Sequence, residues 1–322
     1  MIDKIDGCLD LQVPVDDIRR RADEAGLVTE ITKLNGKSKP HLRFYPTGGI
    51  NFELFNHKSK YVRVFKTIPS RFGKFRNYWA FFRQLLSAED LLCAGFYRND
   101  LCIDIPENFD SIFSGIYVER KQCSKLFGIS DHWERSAKGN KNTGLQLGKA
   151  PEEILLYDKY EKEKKKLGGE SFGWTRLEVR VTKRKKPCSG FEDLPKLPVH
   201  FGKLGYFKNI KLKRATYYNR ETLTSNQREL RGEFRGIARE LGIHRAYRSC
   251  NRAGNFKRDF KPIVKLEDAD IDFNKLLGVS LNRFFDGWDS SCFQKSTREL
   301  RENLDLSTVN SAPMPWFVPW NQ

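Results

Sequence analysis

The sequence predicts an α+β protein: two pseudo-repeated β-α-β-β-β units forming antiparallel-rich sheets with helices on one face, then a mainly helical basic C-terminal region. Three observations lead there. The first 188 residues carry short apolar or alternating runs of strand length, separated by turn-forming residues. Two of these runs resemble one another: CLDLQVPVDDI from Cys8 and CIDIPENFDSI from Cys102, each a strand with Asp at its third position and then a helix start. From Lys183 the chain turns basic and proline-rich, and then takes on helical spacing.

Strands are expected at 8–13, 28–34, 42–45, 50–55 and 61–68, and again at 101–105, 116–119, 143–147, 154–157 and 175–182. Helical spacing falls at 16–24 and at 77–92, where Trp79, Phe82, Leu85 and Leu86 lie on one apolar side. By eye, INFELFNHK aligns with EILLYDK and YVRVFKTI with WTRLEVRV. Phe55 then stands at the place of Tyr157, Phe65 at that of Glu178, and Asp10 at that of Asp104. The first unit, 1–94, reads as chemically silent, and the second, 95–188, as the one carrying reactive groups. The second is also longer: 178 − 104 = 74 positions from Asp104 to Glu178, against 65 − 10 = 55 from Asp10 to Phe65. The excess lies in Gly-, Lys- and Ser-rich stretches at 130–144 and 162–173, which read as loops on either side of Tyr157. A linker is expected at 189–204, a helical DNA-binding region at 205–307 and an extended tail at 308–322.

Composition narrows the partners. Lys plus Arg is 58 and Asp plus Glu 41, giving 58 − 41 = +17, and the 39% hydrophobic content argues against wholesale disorder. No run has the roughly 18–20 apolar residues of a membrane span, and the acidic start MIDKIDGCLD lacks the features of a signal peptide. The seven cysteines include no CxxC pair, so they read as reduced thiols, and the expected location is cytoplasmic. A strongly basic chain of this kind meets a polyanion, and nucleic acid leads the candidates.

The informative segment runs from GLQLGKAPEEILLYDKYEKEKKK to GWTRLEVRVTKRK. A strand ends at Tyr157, and five lysines follow (Lys159, Lys162, Lys164, Lys165, Lys166). Arg176, Glu178 and Arg180 then alternate at period two, which puts them on one face of a strand. A tyrosine among Lys159, Lys164, Lys165, Lys166, Arg176 and Arg180 suits attack on a phosphodiester, because the cations neutralise the phosphate and ease ionisation of the phenol. Asp104 and Glu178 are hard oxygen ligands for Mg2+ or Mn2+. The residues alone also allow a plainer reading: an edge tyrosine packing its ring, a surface ion pair at Glu178 and a capping acid at Asp104.

LCIDI, EEILLYDKYEKEKKK and WTRLEVRVTKR together resemble the replication initiators of small rolling-circle plasmids and phages, the Rep_trans type, and the related relaxases of conjugative elements. The resemblance covers about 95–186. It implies that Tyr157 nicks one DNA strand at a specific origin and keeps the 5′ phosphate as a phosphotyrosyl link, while Asp104 and Glu178 bind the divalent metal. It also implies origin DNA, single-stranded or supercoiled, as substrate, with a host helicase, a polymerase and a second copy of the chain as partners. Arg180 stands where many members have a second acid, a gap that Glu107 or Asp158 would fill, and Tyr160 is a candidate second nucleophile. A conjugative relaxase and a non-catalytic DNA-binding regulator with a vestigial site remain as alternatives.

The C-terminal region has one sharply drawn helix. Thr224 and Gln227 form a capping box, and Leu230, Phe234, Ile237, Ala238 and Leu241 follow helical spacing. Arg228, Arg231, Arg235 and Arg239 form a stripe that either reads DNA or is a solvated face.

Overall fold

The computed structural model describes residues 1–10, 15–33, 40–45, 52–56, 62–119, 144–149, 151–159, 174–182, 186–197, 205–250, 261–269 and 271–288. Its first half is strand-rich with helices set between the strands. β1 (Ile2–Asp10) leads to α1 (Val15–Glu24), β2 (Val28–Lys33), β3 (Pro40–Tyr45), β4 (Phe52–Asn56) and β5 (Val62–Thr67). α2 (Phe75–Leu85) and α3 (Ala88–Cys93) follow, then β6 (Gly95–Ile105), α4 (Phe109–Gly115), β7 (Ile116–Val118), β8 (Gly144–Lys149), β9 (Glu152–Asp158) and β10 (Thr175–Thr182). The C-terminal part adds β11 (Ile210–Tyr217), α5 (Ser225–Cys250), β12 (Val264–Asp268) and α6 (Phe273–Phe285).

The expected single helix over 77–92 is two helices. Ser87 accepts from the Asp90 amide while the Ser87 amide donates to the Asp90 carboxylate, each at 3.1 Å, so a capping box restarts the chain after Leu86.

Nine strands form one sheet in the order β2-β3-β4-β5-β1-β6-β10-β9-β8, and the pairings along it are antiparallel. The central pair is β1 with β6. Ile2 lies opposite Leu101 and Gly7 opposite Phe96. Cys8 and Cys102 are 102 − 8 = 94 positions apart, and the same offset carries Ile2 to Phe96 and Gly7 to Leu101. The two central pairs therefore exchange under that offset.

The ladder corrects the alignment made by eye for the outer strands. Cys8 faces Val64 across β1 and β5, whereas Cys102 faces Glu178 across β6 and β10. Val64, not Phe65, thus stands at the place of Glu178. Likewise Phe55 faces Val64 while Leu155 faces Glu178, so Phe55 is not the counterpart of Tyr157. A one-residue slip turns a side chain to the other face of a sheet. Phe65 accordingly lies in the core against Phe96 and Phe191, on the face opposite to that of Glu178.

That core lies between the sheet and a layer of helices. Leu177, Val179 and Val181 of β10, Leu101, Ile103 and Ile105 of β6, and Phe75, Tyr78, Trp79 and Phe82 of α2 are all buried in it. Residues 191–197 of the segment expected as a linker enter the same core. Phe191, Leu194 and Leu197 are each 1% exposed, and the Phe191 ring lies 4.9–6.3 Å from those of Phe65, Tyr78, Trp79, Phe82 and Phe96. The chain forms a 3₁₀ turn there, Phe191–Lys196, that seats the aromatic ring. Phe191→Ala is expected to cost about 3–5 kcal/mol through lost burial and a residual cavity. The denaturation midpoint should fall with the slope unchanged.

The C-terminal region is not wholly helical, nor packed by itself. β11 pairs with β12 and with β7, a strand from the expected second unit, and together they form a three-stranded sheet. α5 lies on it through Phe234, Ala238 and Ala246, next to Leu223 and Ile263. The capping box of α5 forms as the sequence predicts: the Thr224 amide donates to Gln227 at 2.9 Å, and the Gln227 amide donates to Thr224 Oγ1 at 3.4 Å. The helix breaks at Gly242, whose φ of 82° an L side chain rarely adopts. A Cβ there would stand 3.0 Å from the Phe113 carbonyl oxygen, so glycine also lets α5 approach α4 closely. α6 returns to the main core through Phe273, Leu277, Leu281, Phe284 and Phe285.

Candidate active site

The face of the sheet opposite the main core bears a grid of charged side chains, and the strand registers fix it. One row across the strands reads Asp104, Arg176, Tyr157, Gly144. The next reads Cys102, Glu178, Leu155, Gln146, and the third Asp100, Arg180, Glu153, Gly148. Period-two alternation on β10 sends Arg176, Glu178 and Arg180 to this face while Leu177, Val179 and Val181 enter the core. Tyr157 meets Glu178 on the diagonal, a distance that a long side chain spans.

The Tyr157 hydroxyl donates to Glu178 Oε2 at 2.9 Å. Glu178 Oε1 accepts from Arg180 Nε at 2.7 Å, and Arg180 Nη1 reaches Glu153 at 3.4 Å. Arg176 binds Asp104 with two parallel bonds, Nε to Oδ1 at 2.6 Å and Nη2 to Oδ2 at 2.8 Å, and its Nη1 donates to Asp3. Lys159 Nζ adds a bond to Asp104 Oδ2 at 2.9 Å. Its ammonium also sits over the Trp174 ring, 5.4 Å from the centroid. Lower on the same strand, Arg98 grips Asp100 through Nε at 2.7 Å and Nη2 at 2.6 Å.

Burial sets the electrostatics. Tyr157 is 9% exposed, Arg176 5% and Glu178 2%. Burial, with the Glu178 charge adding to it, pushes the Tyr157 phenol well above its ordinary value, and Arg176 only partly opposes this. The expectation that surrounding cations ease ionisation of the phenol is therefore reversed: its immediate partner is an anion. For Asp104, burial works upward, but the two bonds from Arg176 and the Lys159 ammonium outweigh it and hold the carboxyl below its usual range. Burial lifts Asp100 to about 6 against the pull of Arg98.

These bonds also test the fit of a divalent ion. Both oxygens of Asp104 are taken by Arg176 and Lys159, and both oxygens of Glu178 by Tyr157 and Arg180. Among the described residues no group of three His, Cys, Asp or Glu side chains could hold a metal. Arranged in this way, Asp104 and Glu178 do not fit Mg2+ or Mn2+ as a bridging pair, because protein cations and the Tyr157 hydroxyl already fill the positions that the ion would take. Glu107 and Asp158 add no ligand to such a group.

The sequence-predicted cations divide. Arg176 is a buried clamp on Asp104 rather than a surface contact for DNA, because its place in the row opposite Asp104 fixes it there. Lys159 and Arg180 lie at the site and are partly exposed. Lys164, Lys165, Lys166 and Tyr160 lie outside the described residues. On α5, Arg231 and Arg235 hold their guanidinium groups over the Tyr217 ring of β11, at 5.5 and 5.3 Å. Arg228 Nε donates to the Leu223 carbonyl at 3.0 Å, and Arg239 is exposed. Asp3, Glu153, Trp174 and Tyr217 are site or surface partners that sequence reasoning did not single out. Period-two reading of 152–158 would have found Glu153, but Asp3 joins only through the β1–β6 pairing.

No family model matches the chain, and no curated protein matches it. Among solved structures it is similar to a rolling-circle replication initiator protein from Geobacillus stearothermophilus, with 12% sequence identity and a TM-score of 0.36. That match covers 76% of this chain and 97% of the other. Among the described residues no helix is long and apolar enough to cross a membrane.

Proposed function

We propose that the chain is a tyrosine-dependent DNA strand transferase that nicks and rejoins one strand, as the first step of rolling-circle replication. One observation carries the reading: the Tyr157 hydroxyl donates at 2.9 Å to a carboxylate, Glu178, that is itself held by Arg180. An oxygen nucleophile bonded to an oriented base is the arrangement that phosphodiester attack needs. Tyr157 Oη attacks the phosphorus as its proton passes to Glu178. The O–P bond to the 3′ oxygen breaks, that oxygen takes a proton from solvent water and leaves as a hydroxyl, and the 5′ phosphate stays on Tyr157. Arg180 and Lys159, the partly exposed cations of the site, would meet the charge on the phosphate oxygens. Arg176 acts through Asp104, which positions Lys159.

The repeat belongs to the same reading. The exchange of pairs at the β1–β6 centre supports two copies of one strand–helix–strand unit, with the reactive residues in the second only. The C-terminal sheet, with α5 and its arginines, would read the origin. A host helicase, a polymerase and a second copy of the chain are partners of this reading.

The test uses labelled single-stranded and supercoiled origin DNA, with separate arms in Mg2+, Mn2+ and chelator, on a denaturing gel. The expected result is a covalent protein–DNA adduct that is absent in Tyr157→Phe. Because protein cations occupy both carboxylates, an adduct is also expected in the chelator arm. An adduct that persists in Tyr157→Phe would refute the assignment of the nucleophile. No adduct in any arm would leave a DNA-binding regulator.

A further inference from the structure

At the edge of the candidate site stands an aromatic ring that neither the core nor the strand-transfer step uses. Trp174 is 46% exposed, a costly place for the largest apolar side chain. Its position is fixed, not incidental. The Lys159 amide donates to the Trp174 carbonyl at 2.9 Å, which extends the β9–β10 ladder by one more pair beyond Thr175 and Asp158. Period two then places Trp174 and Lys159 on the face of Arg176 and Tyr157, one row further along, about 7 Å away at the usual rise of a strand. The Lys159 ammonium sits over the indole while bonded to Asp104 at 2.9 Å, so the ring is tethered to the grid that carries Tyr157. The indole thus combines a half-exposed aromatic ring, a fixed backbone position and a neighbouring cation.

We propose that Trp174 is a stacking platform for an unpaired nucleobase, seating the nucleotide next to the phosphate that Tyr157 attacks, with Lys159 facing the backbone. This rests on the strand-transfer reading for the identity of the neighbouring phosphate. The chemistry selects single strands. A base in a duplex has both faces covered by its neighbours, whereas an unpaired base offers a face to the indole whatever its sequence. The platform would therefore favour a melted or extruded site over intact duplex.

The experiment measures binding apart from cleavage. In a Tyr157→Phe background, fluorescence anisotropy follows a labelled oligothymidylate and a duplex of equal length, across a salt series. Trp174→Ala is expected to weaken single-strand binding by about tenfold or more, the loss of one base stack. Duplex affinity should stay within about twofold by the same argument, and the slope of log affinity against log salt should not change, since no phosphate contact is removed. Trp174→Phe, which keeps an aromatic face, should recover most of the loss. Equal losses on both DNAs, or none on the single strand, would overturn the proposal. A Trp174→Ala variant that fails on single strands while wild type forms no adduct would keep the platform and refute strand transfer. A wild type that forms the adduct beside a Trp174→Ala that binds normally would do the reverse.

Discussion

Glu178→Gln is expected to slow formation of the covalent adduct by about a hundredfold to ten-thousandfold, the range for a positioned general base. The fold should survive. The Gln carbonyl oxygen can keep the Arg180 bond that Glu178 Oε1 now makes at 2.7 Å. Its NH2 group must then face the phenol, where Oε2 accepts at 2.9 Å in the native chain. The hydrogen bond reverses, and the Tyr157 proton loses its acceptor. Burial and the neighbouring anion keep the phenol above its ordinary value, so at neutral pH it is protonated and attack requires a base. The measurement is the single-turnover rate of adduct formation at saturating DNA, with binding followed separately by anisotropy. A rate within about threefold of wild type would remove Glu178 from the chemistry.

Much of this grid is legible in the sequence, and the parts of it that are not share one cause. Alternation at Arg176, Glu178 and Arg180 places these residues on one face without reference to any other strand, and the structure agrees. Tyr157 and Asp104 likewise lie near the ends of strands that the apolar runs announce. What the sequence could not supply was register. The by-eye pairing of Phe65 with Glu178 slips by one residue, which separates a core ring from a charged carboxylate on the opposite face. The division of partners was hidden for the same reason. Whether Arg176 points at phosphate or at Asp104 depends on the residue directly across β6. The segment at 189–204 misled for a different reason: its prolines and glycines read as a linker, yet Phe191 and Leu194 are the residues that matter, and they pack with rings distant in the chain. In the C-terminal region β11 is not legible beside the single strong helix, because its basic, half-buried residues alternate only weakly.

Arg176→Met should be the most destabilising change at the site, at about 3–5 kcal/mol, although it preserves length and apolar contact. Arg176 is the hub of two acids: it holds Asp104 at 2.6 and 2.8 Å and also bonds Asp3. Methionine would leave Asp104 with Lys159 alone, and Asp3 without that guanidinium. The cost is one of unpaired charge, not of volume, so neutralising the partner should restore part of it. Arg176→Met with Asp104→Asn is expected to be more stable than Arg176→Met alone, and a double-mutant cycle reads the coupling directly. The acid limb of stability gives an independent check. The Asp104 carboxyl is held below its usual range in the fold, so the clamp contributes fully above the unfolded value of about 4 and is lost as pH falls through the lower folded value. Wild type should therefore lose stability on acidification below about pH 4, and Arg176→Met should lose less over the same interval. Equal acid limbs in the two proteins, or a single variant as stable as wild type, would mean that the guanidinium is not what holds Asp104 in place.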